Sequence, residues 1–462
     1  MAKDVPKGRI RRAAKVGRLA GGQTARNYAT KATNVARSAD GRRAAAERRQ
    51  LEAAEQIVDV LGQMKGAAMK VGQVASFIDT GAFPPEFQER MQEKLAALRD
   101  AAPRVSFEQM RKVIEDDLDQ PLDDVFDEFD QEAVAAASIG QVYRARLQDG
   151  REVAVKAQYP GVAQAVRADL QNLGLIMRVA KRMAPGMDAK AMTAEIKERL
   201  SEELDYEHEA QSHRAIARAW RGHPFVLVPE VLTHLSSEHV LVTEWVDGIG
   251  FEEVRALDRA TRDRFGEIVF RFFFGSLYRN GHFSGDPHPG NQLLMADGRV
   301  AFLDFGMTKK LPREQIDAEI AAIRCGLEGD AERFDTLMAQ LGYFDVDDER
   351  IPPEALLEQC LDAIEWYRDD REVTLDRELV TRVLVDAGDP RSRHWELMKH
   401  QTLPPETLLA RRMEALTLGV LGRVEATANW HRIAREWLFG DPPSTPLGEL
   451  EAEYFGSRRR AA

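Results

Sequence analysis

Residues 285–307 read GDPHPGNQLLMADGRVAFLDFGM. Asp286 is followed five positions later by Asn291, and Asp304 comes thirteen residues after that, inside Asp-Phe-Gly. The apolar runs QLLM and VAFLD predict a β-hairpin that brings Asn291 and Asp304 together. Phosphoryl transfer has a use for each residue. One carboxylate orients or deprotonates the attacking hydroxyl; a neutral oxygen ligand and a second carboxylate hold magnesium against the phosphates. A lone Asp-Phe-Gly says little, whereas three polar residues in register around one hairpin say much more. Taken singly, Asp286 and Asn291 would read as turn caps. A metallohydrolase site of His282, Asp286 and His288 is a competing reading, but those spacings match no helix face and no further His is well placed.

Upstream, Val-Ala-Val-Lys ends a predicted strand with Lys156, fourteen residues after Val142. A lysine there reaches phosphate oxygens when a carboxylate holds it. That carboxylate is expected from the acidic run EELDYEHEA at 202–210. The run also reads as a solvated helix face, but Leu204 and Tyr206 interrupt it, and its crowded carboxylates call for nearby cations.

VAAASIGQVYRA, 134–145, reads like the start of a phosphate-cradling hairpin: Ala135, Ala136 and Ala137 stand where glycines are usual, followed by Ser138, Gly140 and Val142. Alanine carries a steric penalty at positive φ that glycine escapes. The loop is therefore expected to be stiff and to hold a nucleotide with altered phosphate geometry. LVTEWVDG, 241–248, ends a strand and leads into the helical half of the chain. There the backbone of Glu244 and Val246 can pair with an adenine edge.

A chain of 462 residues with 44% hydrophobic content suits two lobes with extensions. Its formal charge of −12 is unevenly spread, because residues 1–50 carry 14 Lys and Arg against Asp4, Asp40 and Glu47. A basic arm on an acidic body suggests contact with an anionic surface, either a membrane face or nucleic acid, or else a solvated tail; of the two surfaces, lipid is the one expected. A nucleic-acid partner is not expected. Two cysteines, Cys325 and Cys360, fit a reducing cytosol and provide neither a disulfide framework nor a zinc site. No apolar run approaches the ~20 residues needed to span a bilayer. The greasiest stretch, EIVFRFFFGSLY at 267–278, is short and interrupted by Arg271. With no signal-peptide core at the start, the expected location is cytoplasmic, at most peripheral to a membrane.

The organisation follows from texture. Residues 1–50 form a flexible basic arm, 51–128 a helical extension, 129–247 a strand-rich lobe with an internal helix, 248–440 a helical lobe, and 441–462 a tail. Within the strand-rich lobe the turn QDG at 148–150 joins two strands. Helices are expected at 161–183 and 189–220, with strands again in 225–232 and 239–246. This is an α+β chain with a small β-rich N-lobe, a large helical C-lobe and an N-terminal helical extension.

The order of the Ala-rich loop, Val-Ala-Val-Lys, Asp-x-x-x-x-Asn and Asp-Phe-Gly resembles the protein-kinase-like fold. KVGQ at 70–73, AAAS at 135–138 and ELDYEHE at 203–209 make the chain similar to the UbiB/AarF family of atypical kinases over about residues 55–310, and more loosely to about 440. That resemblance implies a nucleotide lysine in Lys156 with Glu209 as its helix partner, a catalytic-loop aspartate in Asp286, and magnesium ligands in Asn291 and Asp304. It places Glu203 and Asp205 near the metal and near an intruding helix. Lys70 and Gln73, three apart and so on one helix face, would belong to that helix and cap the place where a protein substrate docks.

The resemblance also implies ATP or ADP with Mg2+ as cofactors. The activity would be that of an ATP-dependent atypical kinase or ATPase, serving isoprenoid-quinone or other lipid metabolism on a lipid or small-molecule substrate. Two departures from protein kinases argue against peptide phosphorylation. MTKKLPREQ, 307–315, reaches a helix start almost at once, with no Ala-Pro-Glu after it, and Gly285 stands where an arginine usually reads activation-loop phosphate. His288 in place of a catalytic-loop lysine is similar to choline and aminoglycoside kinases, so small-molecule phosphotransfer is the second reading. A catalytically silent nucleotide-binding scaffold is the third; the full set Lys156, Glu209, Asp286, Asn291 and Asp304 weighs against it.

Overall fold

The computed structural model describes residues 105–461, apart from 138, 171–189, 191–192, 195–196, 199–200, 202–203, 346–347 and 390. The basic arm, most of the helical extension, and the candidate residues Lys70, Gln73, Ser138 and Glu203 lie outside the described residues.

The first described helix, α1 (Phe107–Leu118), is started by a capping box: Ser106 accepts from the Gln109 N–H and the Gln109 side chain accepts in return. It buries Met110 and Ile114 against a sheet. Six strands follow in the chain: β1 (Phe126–Phe129), β2 (Ala135–Ala136), β3 (Gly140–Leu147), β4 (Glu152–Gln158), β5 (Val226–Leu227) and β6 (Val240–Glu244). All but β5 build one antiparallel sheet in the order β1-β3-β4-β6, with β2 added to β3. Gly150, at φ +85°, makes the QDG turn between β3 and β4.

Strand alternation sorts the side chains. Val153, Val155 and Ala157 of β4 face the α1 side with Tyr143, Val240 and Val242. Lys156 falls on the other face, opposite Leu241 in register. Helices α2 (Val162–Leu170) and α3 (Tyr206–Trp220) contribute to the cluster on that second face, which gathers Ile139, Val166, Leu204, Tyr206, Ala210 and Leu241.

The acidic stretch is not one helix from 189 to 220: Asp205 is extended, at φ −118° and ψ 100°, and starts α3 afresh. The stretch FVLVPEVL does not form one strand either. Val226 and Leu227 pair in parallel with a strand of the other lobe, while Val231 bridges Thr243. Pro229 explains the split, since it has no N–H to give a ladder and disfavours regular pairing around it.

The second half is helical around a small hairpin. Its longer helices are α4 (Arg259–Gly275), α5 (Arg313–Glu328), α6 (Ala331–Gln340), α7 (Pro353–Ala363), α8 (Arg377–Gly388), α9 (Leu408–Val424), α10 (Trp430–Leu438) and α11 (Pro446–Ala461). Between α4 and α5 run β7 (His282–Ser284), β8 (Gln292–Leu294), β9 (Val300–Phe302) and β10 (Thr308–Lys310). The core is aromatic: Phe272 stacks on Phe302 at 3.7 Å between centroids, and Phe270 meets Trp430 edge-on at 5.2 Å. The result is α+β and two-lobed.

Arg271, the charge that interrupts the greasiest stretch, is fully buried in this core. It bonds Glu267 of its own helix at 2.7 Å, Glu436 of α10 at 2.8 Å and Glu451 of α11 at 3.0 Å. A buried charge is tolerable only when paired, and here the pairing fastens three helices. Helix α11 then reaches back to α3. Tyr454 Oη donates to the Arg221 carbonyl at 2.8 Å, and Arg458 donates to the carbonyls of Ala219 at 2.7 Å and Arg218 at 3.0 Å. These are the carbonyls a helix leaves unpaired at its carboxyl end. Among the described residues no helix is long and apolar enough to cross a membrane.

Candidate active site

Lys156 projects from the α3 side of β4 and bridges two acids from distant parts of the chain. Its Nζ lies 2.7 and 3.0 Å from the Glu209 carboxylate oxygens and 3.1 Å from Asp304 Oδ2. The Tyr206 ring lies 5.0 Å away. Burial alone would push the ammonium pKa down, but Asp304 and Glu209 outweigh it and hold the pKa well above the usual lysine value. Burial would likewise raise Asp304, yet Lys156 and the Gly306 N–H, 3.0 Å from Oδ1, leave it lowered.

Glu209 is buried in the first turn of α3, where the helix dipole favours an anion. The glycine of Asp-Phe-Gly makes room for this meeting. A β-carbon on Gly306 would sit 3.1 Å from Glu209 Oε2 and 3.4 Å from Asp304 Oδ1.

Phe305 packs its ring 4.6 Å from His213, one turn beyond Glu209 on the same face of α3. Burial lowers the His213 pKa to about 4, so the ring is neutral near pH 7. The sequence reading missed His213; its spacing of four from Glu209 was the available signal.

The predicted hairpin forms from β8 and β9, with Leu293 opposite Ala301 and the Leu303 N–H donating to the Asn291 carbonyl at 3.0 Å. Asn291 therefore stands opposite Leu303 at its open end, with Asp304 the next residue along that strand's exit. His288 caps the turn before β8, its Nδ1 accepting from the Gly290 N–H at 3.0 Å. Among the described residues His282, Asp286 and His288 do not form a metal cluster.

Asp286 is buried, and its carboxylate accepts from Arg412 Nη2 of α9 at 3.1 Å. Burial raises its pKa, and Arg412 works against that rise. A second Arg412 nitrogen donates to the Gly285 carbonyl. Gly285 is glycine for a steric reason: a β-carbon there would collide with Leu409 of the same helix. The sequence reading also missed Arg412, since LLARRMEALTLGVLGRV reads as an ordinary helix.

After Asp-Phe-Gly the chain turns straight into β10, which pairs with β7 through Thr308 and Ser284, and the Gly285 N–H donates to the Met307 carbonyl at 2.7 Å. Helix α5 follows directly after Pro312.

The Ala-rich loop corrects an expectation. Ala135 and Ala136 pair in β2 with Val142 and Gln141 of β3, and none of Ala135, Ala136 and Ala137 has positive φ. The alanines are thus accommodated without the steric penalty. The Ala137 N–H donates to the Gly140 carbonyl at 2.9 Å, which spends that amide inside the turn. Gly140 is glycine because a β-carbon would run into the Ala157 carbonyl of β4. Glu244 ends β6 and accepts from the Glu230 N–H at 3.1 Å, while Val246 follows half-buried just beyond the strand. Asp205, assigned above to the neighbourhood of the metal, uses its carboxylate to cap α3 through the N–H groups of Glu207 and His208.

The site therefore joins a half-buried lysine paired to a buried glutamate, an Asp-Phe-Gly aspartate and a loop aspartate. The sequence over residues 97–337 matches the ABC1 atypical kinase-like domain. The chain belongs to the ABC1 atypical kinase-like family. Relatives of this ABC1 chain include the mitochondrial atypical kinase COQ8B of Rattus norvegicus, 33% identical over 281 residues, which are 61% of this chain and 52% of the relative. The mitochondrial atypical kinase coq-8 of Caenorhabditis elegans is 28% identical over 403 residues, 84% of this chain and 52% of the relative. The ABC1 chain thus spans about half the length of these curated relatives. A solved structure of Rv3197 with erythromycin from Mycobacterium tuberculosis superposes with a TM-score of 0.61 at 31% identity, covering 86% of this chain and 98% of that one.

Proposed function

We propose that this ABC1 protein binds a magnesium–adenine nucleotide in the cleft lined by Lys156, Glu209 and Asp304. It would transfer or hydrolyse the terminal phosphoryl group in support of isoprenoid-quinone or other lipid metabolism rather than phosphorylate peptides. The reading rests on one observation above the rest: Lys156 Nζ held by Glu209 at 2.7 Å and Asp304 at 3.1 Å. A half-buried lysine kept charged would take phosphate oxygens, and Asp304, which restrains it, would take the cation.

The residues fit magnesium. Asp304 and the Asn291 carboxamide are hard oxygen donors, and phosphate and water complete the shell that this ion prefers. Bound there, the ion would neutralise charge gathering on the phosphates. Lys156 would bind phosphate oxygens, Asp286 would orient or accept the proton of the attacking hydroxyl, and the backbone at Glu244 and Val246 would take the adenine edge. The basic arm at 1–50 would seat the protein on an anionic membrane surface. A second reading, transfer to a small alcohol, is favoured by the direct β10–β7 pairing after Asp-Phe-Gly.

MgATP turnover by the full chain separates the readings, measured with and without anionic vesicles or a quinone-precursor mimic, and with added choline as the alcohol. Stimulation by vesicles or the mimic supports the lipid-metabolism reading. Stimulation by the alcohol alone moves the assignment to the second. Nucleotide binding with no turnover leaves a silent scaffold and defeats both.

A further inference from the structure

Arg412 joins three points that the sequence keeps apart. Its Nη2 is 3.1 Å from Asp286 Oδ1, Nη1 bonds the Gly285 carbonyl, and Nη1 lies 3.5 Å from Met307 Sδ, directly after Asp-Phe-Gly. The guanidinium is buried with the aspartate it holds. Three residues earlier on α9, Leu409 fills the side-chain space left by Gly285, so one helical face supplies both the wedge and the fork.

A guanidinium is a rigid planar donor array that fixes a carboxylate in one orientation, which a flexible ammonium does not. Arg412 engages Oδ1 of Asp286 at 3.1 Å.

From this geometry, and resting on the reading of Asp286 given above, we propose that Arg412 is a positioning residue. It sets the Asp286 carboxylate for proton acceptance and makes the site complete only when α9 is docked on the catalytic loop. In a protein kinase the arginine beside this aspartate responds to a phosphorylated loop. Here the arginine comes from α9, 126 residues along the chain, and is engaged without any such modification.

The test is a mutant cycle on the full chain, using MgATP as the probe. Turnover and nucleotide affinity are measured for the wild type, Arg412→Gln, Arg412→Lys, Asp286→Asn and the two double variants. Arg412→Gln is expected to lose on the order of a hundredfold in turnover, the cost of misplacing a reacting group by about 1 Å. Its nucleotide affinity should stay close to wild type. Arg412→Lys should recover part of the loss, because charge and one donor remain. In the Asp286→Asn background neither arginine change should cost more, since Arg412 acts through that carboxylate. If Arg412→Gln does not fold, the Arg412→Lys arm gives the same coupling.

Wild-type turnover in the arginine variants would overturn the inference. So would an arginine effect of equal size with and without the Asp286 carboxylate. Wild-type turnover in Asp286→Asn would instead sink the assignment of Asp286 itself.

Discussion

Leu409 occupies the space that any side chain on Gly285 would need. The contact is more than packing, because Gly285 precedes Asp286 and Leu409 precedes Arg412 by one helical turn. Gly285→Ala should push α9 off the loop and cost about 1–3 kcal/mol, the usual range for overpacking. Leu409→Ala makes room for the new methyl, so the double variant should be more stable than the sum of the two single losses. Denaturant unfolding measures all three, and simple additivity would rule the wedge out.

Lys156→Met removes the cation that Glu209 and Asp304 share. The buried Glu209 carboxylate and the partly exposed Asp304 carboxylate then lose the charge between them, and the expected loss is about 1–3 kcal/mol. Adding Glu209→Gln should restore part of that stability without restoring nucleotide turnover. Thermal unfolding in the absence of nucleotide is the measurement; a Lys156→Met protein as stable as wild type would show the pair to be energetically idle.

Asp304→Asn leaves the fold of the hairpin intact but takes away the charged oxygen assigned to magnesium. A saturating ligand at about one hundred times its Kd stabilises a protein by roughly 2.7 kcal/mol. That gain from MgATP should vanish in the variant. A melting shift that survives intact would move the metal elsewhere.

Ala137→Gly loosens a turn whose amide is committed to the Gly140 carbonyl. The variant should lose about 0.5–1 kcal/mol through added chain freedom. Its amide, once free to leave the turn, should change ATP affinity. Isothermal titration with ATP and ADP tests this, and curves that overlay wild type would count against a restraining role for the loop.

His223 is buried among the rings of Trp220, Phe225 and Tyr454, and burial with Arg279, Arg271 and Arg458 nearby lowers its pKa to about 3. The unfolded chain takes up this proton near pH 6.5 while the folded chain resists it, so more protons are bound unfolded between those values. Stability must therefore fall as pH drops from about 6.5 towards 3, by on the order of 4 kcal/mol from this group. His223→Phe should flatten the decline. Unfolding curves at pH 7.5, 6 and 5 that remain parallel for the two proteins would exclude the effect.

Much of the site was legible because its residues sit on short-range signals. Lys156 ends an alternating strand, and Asn291 and Asp304 close a hairpin whose two apolar runs name each other. The acidic run pointed to a carboxylate partner, and family resemblance singled out Glu209 within it. Arg412 was not legible: nothing within α9 distinguishes it from Arg411, and its role comes from a packing event across the lobe. The strand at 225–232 misled for the opposite reason. Its apolar pattern was real, but Pro229 divides it between two sheets, and pattern alone does not count missing N–H groups. Asp205 likewise looked like part of an acidic cluster until the helix began immediately after it.

The helix bearing Glu209 is tied at both ends, by Asp205 at its start and by Tyr454 and Arg458 at its finish. Mechanical load on residues 446–461 is therefore load on the lysine's partner. An affinity handle, antibody or fusion gripping that segment would pull on the Lys156–Glu209 pair.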